Sequence, residues 1–459
     1  MNEYRQESDS MGEMQVPVDA MYGASTARAV ENFPVSDLRF PREFIKALGR
    51  IKQTAATVNQ DLGRLPKARA DLIRKAAAEV VDGEWDAQFV LDIFQTGSGT
   101  STNMNVNEVI AHRCTQLSSK ESVHPNDDIN MGQSSNDVIP TAIHLAATDL
   151  LLSDLIPALK LLHGELVKKA RENDTVIKIG RTHLMDATPI TLGQEISGWA
   201  RQIELGINRL ESVLPRITEL AQGGTAVGTG LNTHAEFGAR IAMELSRAYG
   251  IKFNEAANHF EAQAAQDAAV ELSGQLKTLA VSLVKIANDV RLLNAGPRCG
   301  IGEITVPAVQ PGSSIMPGKV NPVIAESLAQ VCAQVIGNDA AISFGGASGL
   351  LDLNVMLPVI AHNLLESERL LAAACRMFTD KCITGLQANV ERCAEQIEWS
   401  MSMVTALAPV IGYDLASKLA KQAVSEGKTV RQLCEEQDVL PLAELKRLLD
   451  PTTMLHPNR

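Results

Sequence analysis

The chain has 459 residues, 45% of them hydrophobic and only 4% aromatic, and a formal net charge of −12. That length buries a large core in more than one domain, and an alanine- and leucine-rich, aromatic-poor composition favours close-packed helices over a β-sandwich. The acidic balance and the absence of a basic block argue against nucleic acid as a partner and give a dianionic ligand no general steering, so any positive charge it meets must be local.

The opening Met1–Ser10 is polar and partly acidic, without the apolar stretch of a secretory signal or the arginine-rich character of a transit peptide. No long charge-free apolar run suggests a membrane span, and a cytoplasmic protein is expected. Residues 1–134 hold turn formers and short apolar runs, including Phe33-Pro34 and Asn126-Asp127-Asp128, and read as a mixed, mostly helical N-terminal domain. Residues 135–385 carry long helical patterns. Thr141 to Lys169 is one; Ile196, Trp199, Ile203, Ile207, Leu210, Leu214 and Ile217 mark a second, with a kink expected at Pro215. In the clearest, Ala269, Leu272, Leu276, Leu279, Leu283, Ile286, Val290 and Leu293 alternate spacings of three and four, a helix about 36 Å long at about 1.5 Å per residue. Its other face adds Ala280, Val284 and Ala287, so burial on more than one side is expected. A fourth pattern runs from Val323 to Ala340. Apolar faces on this scale exceed what one chain's bundle covers, and subunit association is the natural way to bury them. Residues 386–459 form a small helical tail broken at Gly412 and Pro441.

The seven cysteines, Cys114, Cys299, Cys332, Cys375, Cys382, Cys393 and Cys434, are odd in number and scattered. Reduced, mostly buried thiols are the simplest reading.

Polar chemistry is concentrated in a few blocks. Thr96-Gly97-Ser98-Gly99-Thr100-Ser101-Thr102-Asn103 is a glycine and hydroxyl loop that, taken alone, is an ordinary turn. His124-Pro125-Asn126-Asp127 is rich in turn formers. Gly132-Gln133-Ser134-Ser135-Asn136-Asp137 precedes a long helix, where hydroxyl and amide side chains serve as caps. Gly180-Arg181-Thr182-His183-Leu184-Met185 places a histidine beside a threonine in an otherwise apolar neighbourhood; a lone histidine there is more often structural than functional. Gly312-Ser313-Ser314-Ile315-Met316-Pro317-Gly318-Lys319-Val320-Asn321-Pro322 combines flexible backbone, hydroxyls, one lysine and a helix start. Asn321 reads as the N-cap and Pro322 as the first helical residue, so a carboxylate near Lys319 would meet a full charge and aligned backbone donors.

The Gly312–Pro322 run resembles the signature of the fumarase/aspartase superfamily of lyases, which cleave a C–N or C–O bond next to a carboxylate and release fumarate. The match continues through Asp9-Ser10-Met11-Gly12, Tyr22-Gly23-Ala24, Gly223–Asn232 and Ile411-Gly412-Tyr413-Asp414. Gly-Arg-Thr-His at 180–183 and Ser-Ser-Asn at 134–136 are similar to class II fumarases, whereas aspartases carry glutamine for the histidine and tend toward Ser-Thr-Asn.

The resemblance implies a mainly α, three-domain fold whose central five-helix bundle forms a twenty-helix tetramer core, with active sites shared between subunits. It implies reversible hydration of fumarate to (S)-malate through an aci-carboxylate intermediate. The implied catalytic residues are Ser313 as base, activated by Lys319 and backbone N–H groups, and His183 acting on the leaving oxygen, oriented by Glu326. Substrate contacts fall on Ser98, Gly99, Thr100, Asn103, Ser134, Ser135, Asn136, Thr182, Ser314, Lys319, Val320 and Asn321. His124, Pro125, Asn126 and Asp127 match a second dicarboxylate site, but Glu121 stands where relatives often have a basic residue, which weakens anion binding there. Met185 stands where relatives commonly have glutamine. No metal or organic cofactor is expected: the histidines lack zinc-ligand spacing and no four-cysteine cluster offers an iron–sulfur site. The rival readings are an aspartate ammonia-lyase and a catalytically silent structural bundle. Retention of Ser313, Lys319, His183 and Glu326 together argues against the second.

Overall fold

Strands pair only two at a time in the computed structural model, which describes residues 4–457, and helices build the rest of the framework. Residues 1–3 of the polar opening lie outside the described residues, as do 458 and 459. From the N-terminal side, the antiparallel hairpin of β1 (Tyr4–Asp9) and β2 (Gly12–Pro17) leads into α1 (Ala24–Asn32), α2 (Arg42–Asp61), α3 (Lys67–Asp82) and α4 (Thr100–Leu117). The short apolar runs of this region are thus the buried stripes of helices: on α2, Phe44, Leu48, Ile51, Ala55 and Val58 share one face and are all buried.

The helical pattern expected over Thr141–Lys169 is α5 (Ser135–Leu150), a single π turn (Leu151–Leu155) and α6 (Ile156–Glu172). A second antiparallel hairpin follows, β3 (Ile177–Thr182) with β4 (Met185–Thr191), and was not anticipated. Beyond it come α7 (Leu192–Ile217), α8 (Phe237–Tyr249), α9 (His259–Ala264), α10 (Asp267–Leu293), α11 (Val323–Gly346) and α12 (Leu357–Phe378), then shorter helices between Val390 and Leu448. Pro215 falls in the last turn of α7, so the expected kink has no helix beyond it to deflect.

α10 bears out the heptad reading. Ala269, Leu272, Leu276, Leu279, Leu283, Ile286, Val290 and Leu293 are all buried, and so are Ala280 and Ala287 on another face. Val284 is only half-buried, while Val281, 57% exposed, leaves an apolar side chain uncovered in the single chain.

The residues cluster into two compact units. One comprises Met1–Pro157, Asn208–Ala280 and Ala333–Ala372; the other comprises Ala158–Ile207, Val281–Cys332 and Ala373–Arg459. In the first, α2 packs on α3, α5 and α8, and α4 packs on α1 and α3. In the second, Trp199 of α7 is fully buried and its indole N–H donates to Asp289 at 2.8 Å, while Leu407, Leu419, Leu433 and Leu445 form the centre of the C-terminal core.

Candidate active site

In the first unit, three separated blocks converge on a cavity of about 380 Å³ at the head of α5. Its wall includes Thr100, Asn103, Asn126, Ser134, Ser135 and Thr225. Gly99 turns into α4 at φ 72°, with Ile139 only 2.8 Å from where a Cβ would sit, so the position requires glycine. The turn carries Ser98 and Thr100, whose hydroxyls are 2.8 Å apart; Thr100 Oγ1 in turn lies 2.6 Å from Ser135 Oγ. Asn103 is 2% exposed and donates from Nδ2 to Asn130 Oδ1, leaving its own Oδ1 without a partner.

Ser134 is the N-cap of α5. Its hydroxyl accepts the Asn136 N–H, and the Asp137 carboxylate accepts the Ser134 N–H, so a capping box fixes the helix start. Asn136 donates from Nδ2 to the carbonyl of Ala226 at 2.8 Å. That bond draws in the loop Thr225–Asn232, from which Thr225, Ala226, Leu231 and Asn232 line the cavity. Sequence reasoning matched this run to a family pattern without giving it a place in the site, because its contact with Asn136 is long-range.

The block His124–Asp127 is a cap. His124 Nδ1 accepts the N–H groups of Asn126 and Asp127 at 3.3 and 3.2 Å, opening the π turn Pro125–Ile129. The buried Asp128 accepts the His124 N–H and pairs with Arg69 at 2.9 Å, and Arg69 lies 3.7 Å from Glu121. Arg69 is thus held mainly by Asp128, with Glu121 a weaker second partner, while Asn126 joins the cavity with Thr100.

In the second unit, His183 and Leu184 are the central residues of the turn between β3 and β4, with φ values of 55° and 62°. Both signs suit a type I′ turn, but neither residue is glycine or asparagine, so the turn is strained. The apolar setting expected for His183 is absent: Thr182 to Asp186 are exposed, Leu184 by 71%. The base of the hairpin, by contrast, is fixed by charge. The buried Lys178 pairs with Glu303 at 3.1 Å and Glu195 at 3.0 Å, and Arg181 pairs with Glu303 at 2.9 Å. This cluster escaped sequence reasoning.

The Gly312–Asn321 loop closes on itself. Gly312 donates its N–H to the Lys319 carbonyl at 2.7 Å and accepts from Asn321 Nδ2 at 2.8 Å. A Cβ on Gly312 would lie 2.6 Å from that Lys319 oxygen. Inside the loop, Ser313 Oγ accepts the N–H groups of Ile315 and Met316 at 3.2 and 3.0 Å. Lys319 Nζ donates to Asn321 Oδ1 at 2.9 Å, and Ser314, Lys319 and Val320 are exposed. Asn321 is thus not the helix cap expected of it: α11 begins at Val323, and both ends of the Asn321 amide are spent on the loop. Glu326 lies half-buried in the first turn of α11. No hydrogen bond or ion pair among the described residues joins His183 to Ser313 or Glu326.

The cavity of the first unit offers hydroxyl and amide groups, and the loop of the second, taken by itself, holds a serine oxygen against two backbone N–H groups. Hydroxyl and amide groups of this kind suit a carboxylate, and a serine oxygen with two oriented donors suits a site where negative charge develops. A roomier cavity, of about 530 Å³ among His163, Arg171, Arg201 and Glu204, contains none of the residues singled out from the sequence.

Known proteins resemble this chain along its whole length. A family described as Lyase matches residues 12–337, and one described as Fumarase C C-terminus matches residues 403–456. The chain is 54% identical to the class II fumarate hydratase of Corynebacterium efficiens, covering 100% of this chain and 98% of that protein. It is 56% identical to that of Halobacterium salinarum, covering 99% and 97%. A class II fumarase from Schistosoma mansoni superposes with a TM-score of 0.96 at 42% identity over 100% of both chains. A fumarate lyase:delta crystallin from Brucella melitensis gives 0.94 at 46% identity over 99% of this chain and 100% of that one.

Proposed function

The chain belongs to the class II fumarase family of lyases, and we infer from that premise that it catalyses the reversible hydration of fumarate to (S)-malate. Its substrate is accordingly a small dicarboxylate. The observation that supports the mechanism best is the pair of N–H groups on Ser313 Oγ. A serine alkoxide is unfavourable in water, and oriented backbone donors lower that cost.

In the dehydration direction, Ser313 takes the proton from the carbon beside one carboxylate, and the electron pair spreads into that carboxylate as an aci-carboxylate dianion. Lys319 and the loop donors stabilise the added charge more than they stabilise the ground state. The pair then forms the double bond as the hydroxyl on the neighbouring carbon leaves. His183 supplies that hydroxyl with a proton, releasing water, and Glu326 orients the imidazole for the step in both directions. Thr100, Asn103, Ser135 and Asn136 grip the remaining carboxylate.

In this reading the subunit divides at residues 1–134, 135–385 and 386–459 and works as a homotetramer in which each site combines several subunits. Exposed apolar side chains on long helices support association: Val281 of α10, and Ile336 and Phe344 of α11, 40% and 68% exposed. The exposed, strained His183 turn is a further reason to expect a partner surface against it. No helix among the described residues is long and apolar enough to cross a membrane, and a cytoplasmic location completes the proposal. Mixing subunits tests the shared site. His183→Asn and Ser313→Ala proteins, each inactive alone, should regain part of the activity when dissociated and reassembled together; no recovery in verified mixed oligomers would contradict the sharing.

A further inference from the structure

We propose that Asp137 and Lys52 are positioning residues, an internal lock that holds the Gly223–Asn232 loop and the head of α5 in the geometry of the substrate cavity. The inference rests on reading that cavity as the place where the dicarboxylate binds. Asp137 is fully buried. One carboxylate oxygen accepts the Ser134 N–H at 2.9 Å, and the other accepts the N–H groups of Gly223 and Thr225 at 3.1 and 2.9 Å. A single side chain thereby ties the helix start that carries Ser134, Ser135 and Asn136 to the loop that faces it. Thr225 sits at φ 54°, a conformation that persists only under external constraint, and its N–H is one of the bonds Asp137 supplies. Its carbonyl takes a second restraint, from Gln263 Nε2 at 2.7 Å.

Lys52, also fully buried, reaches from α2 to the other side of the same region. Its ammonium donates to Asn130 Oδ1 at 2.9 Å and Gln133 Oε1 at 3.0 Å. Asn130 Oδ1 accepts Asn103 Nδ2 and Asn107 Nδ2 as well, at 3.2 and 3.3 Å. One amide oxygen thus gathers α2, α4 and the loop before α5.

The chemistry of the pair favours a geometric role over a stabilising one. A buried charge pair contributes little net stability compared with apolar groups of the same shape, so its value lies in fixing one arrangement of the groups around it. An aspartate is the right side chain for three N–H donors, since it accepts on both oxygens and donates nothing; an asparagine would turn an NH₂ toward one of them. Burial pushes the Asp137 carboxyl up, to about 6, against the pull of its three backbone donors and Lys52. Burial likewise pushes Lys52 down, to about 7, against the pull of Asp137. Among the described residues, these two are the only charged groups acting on one another here. The two groups are therefore charged together most fully between about pH 6 and 7, where each is more than half ionised; the lock loses the carboxylate as pH falls through the lower value and the ammonium as pH rises through the upper one.

The test uses the full chain and the variants Asp137→Asn and Lys52→Gln, with malate dehydration followed from pH 5 to 9. Asp137→Asn should lower kcat/KM by about tenfold or more, the scale expected when binding groups shift by a fraction of an ångström. Lys52→Gln removes the one cation that, among the described residues, opposes Asp137 protonation, so the acid limb of kcat/KM should move to higher pH. Folded variants with kcat/KM within twofold of wild type and an unmoved acid limb would overturn the proposal. Hydrogen exchange on the wild-type protein decides it if the variants do not fold. After correction for intrinsic rates, amides of residues 222–231 should lose protection as pH falls through about 6; constant protection from pH 5 to 8 would overturn it. The exchange result stands whatever reaction the protein catalyses. A wild-type protein that releases no fumarate from malate would refute the function alone.

Discussion

Ser313 Oγ lies 3.0 Å from the backbone nitrogen of Met316, with the hydroxyl oxygen as acceptor. The neighbouring Ile315 N–H points to the same oxygen, so the loop that the sequence marks as glycine- and hydroxyl-rich is folded around a stabilised serine oxygen. In the proposed mechanism, this relation is what would let the serine act as a base.

Replacing Ser313 by alanine should therefore lower kcat for malate dehydration by about 10²- to 10⁴-fold, the range for losing a positioned general base. The side chain is only half-buried, so the melting temperature should move little. His183→Asn should lose activity on a similar scale. Steady-state rates with thermal melts check both, and wild-type kcat in Ser313→Ala would remove the serine from the mechanism.

The loop's closure is testable apart from its chemistry. In Gly312→Ala the new methyl would sit 2.6 Å from the Lys319 carbonyl oxygen and 2.8 Å from the Asn321 nitrogen. The base of the loop must open. We expect kcat/KM to fall about tenfold or more, with far-ultraviolet circular dichroism unchanged.

His124→Ala separates capping from catalysis. The imidazole accepts two N–H groups at the start of a turn, so its loss should destabilise the protein by about 1 kcal/mol, as for other caps. kcat should stay within about twofold, since the hydrogen bonds of the imidazole are with the backbone of its own turn. A large loss of kcat in denaturant-stable protein would give this residue a catalytic part.

The thiols differ in reactivity. Cys299 is exposed, and the other six cysteines are buried. Burial pushes Cys114, Cys332 and Cys382 up to about 12 and Cys393 up to about 11, far from the thiolate that alkylates. Native protein treated with iodoacetamide should take up label at Cys299 alone, read by peptide mass spectrometry, and at every cysteine after denaturation.

The long helices were legible because their signal is periodic and local. Leu272, Leu276, Leu279 and Leu283 fall on one buried stripe of α10, as their spacing requires. At α5 the presence of capping side chains was readable, but the helix begins at Ser135 rather than at the expected Thr141, with Ser134 and Asp137 forming a capping box. The β3–β4 hairpin was not. Its turn residues, His183 and Leu184, are not the asparagine and glycine that announce such a turn, and its anchor, Lys178 to Glu303, joins residues far apart in sequence. Asn321 was misread for a related reason: an asparagine before a proline is a good cap by rule, but here its amide bonds back to Gly312 and Lys319. Asp137 shows the same limit from the other side. Its capping role is local and visible, whereas its hold on Gly223 and Thr225 exists only in the folded chain. The reaction itself was named by motif wording, above all Gly-Arg-Thr-His, rather than by any physical pattern.

The most direct test of the central claim is the release of fumarate, followed by its ultraviolet absorbance, from purified protein given (S)-malate or L-aspartate at equal concentration. The account predicts fumarate from malate, none above background from aspartate, and loss of the malate signal in Ser313→Ala. Fumarate from aspartate alone would contradict it.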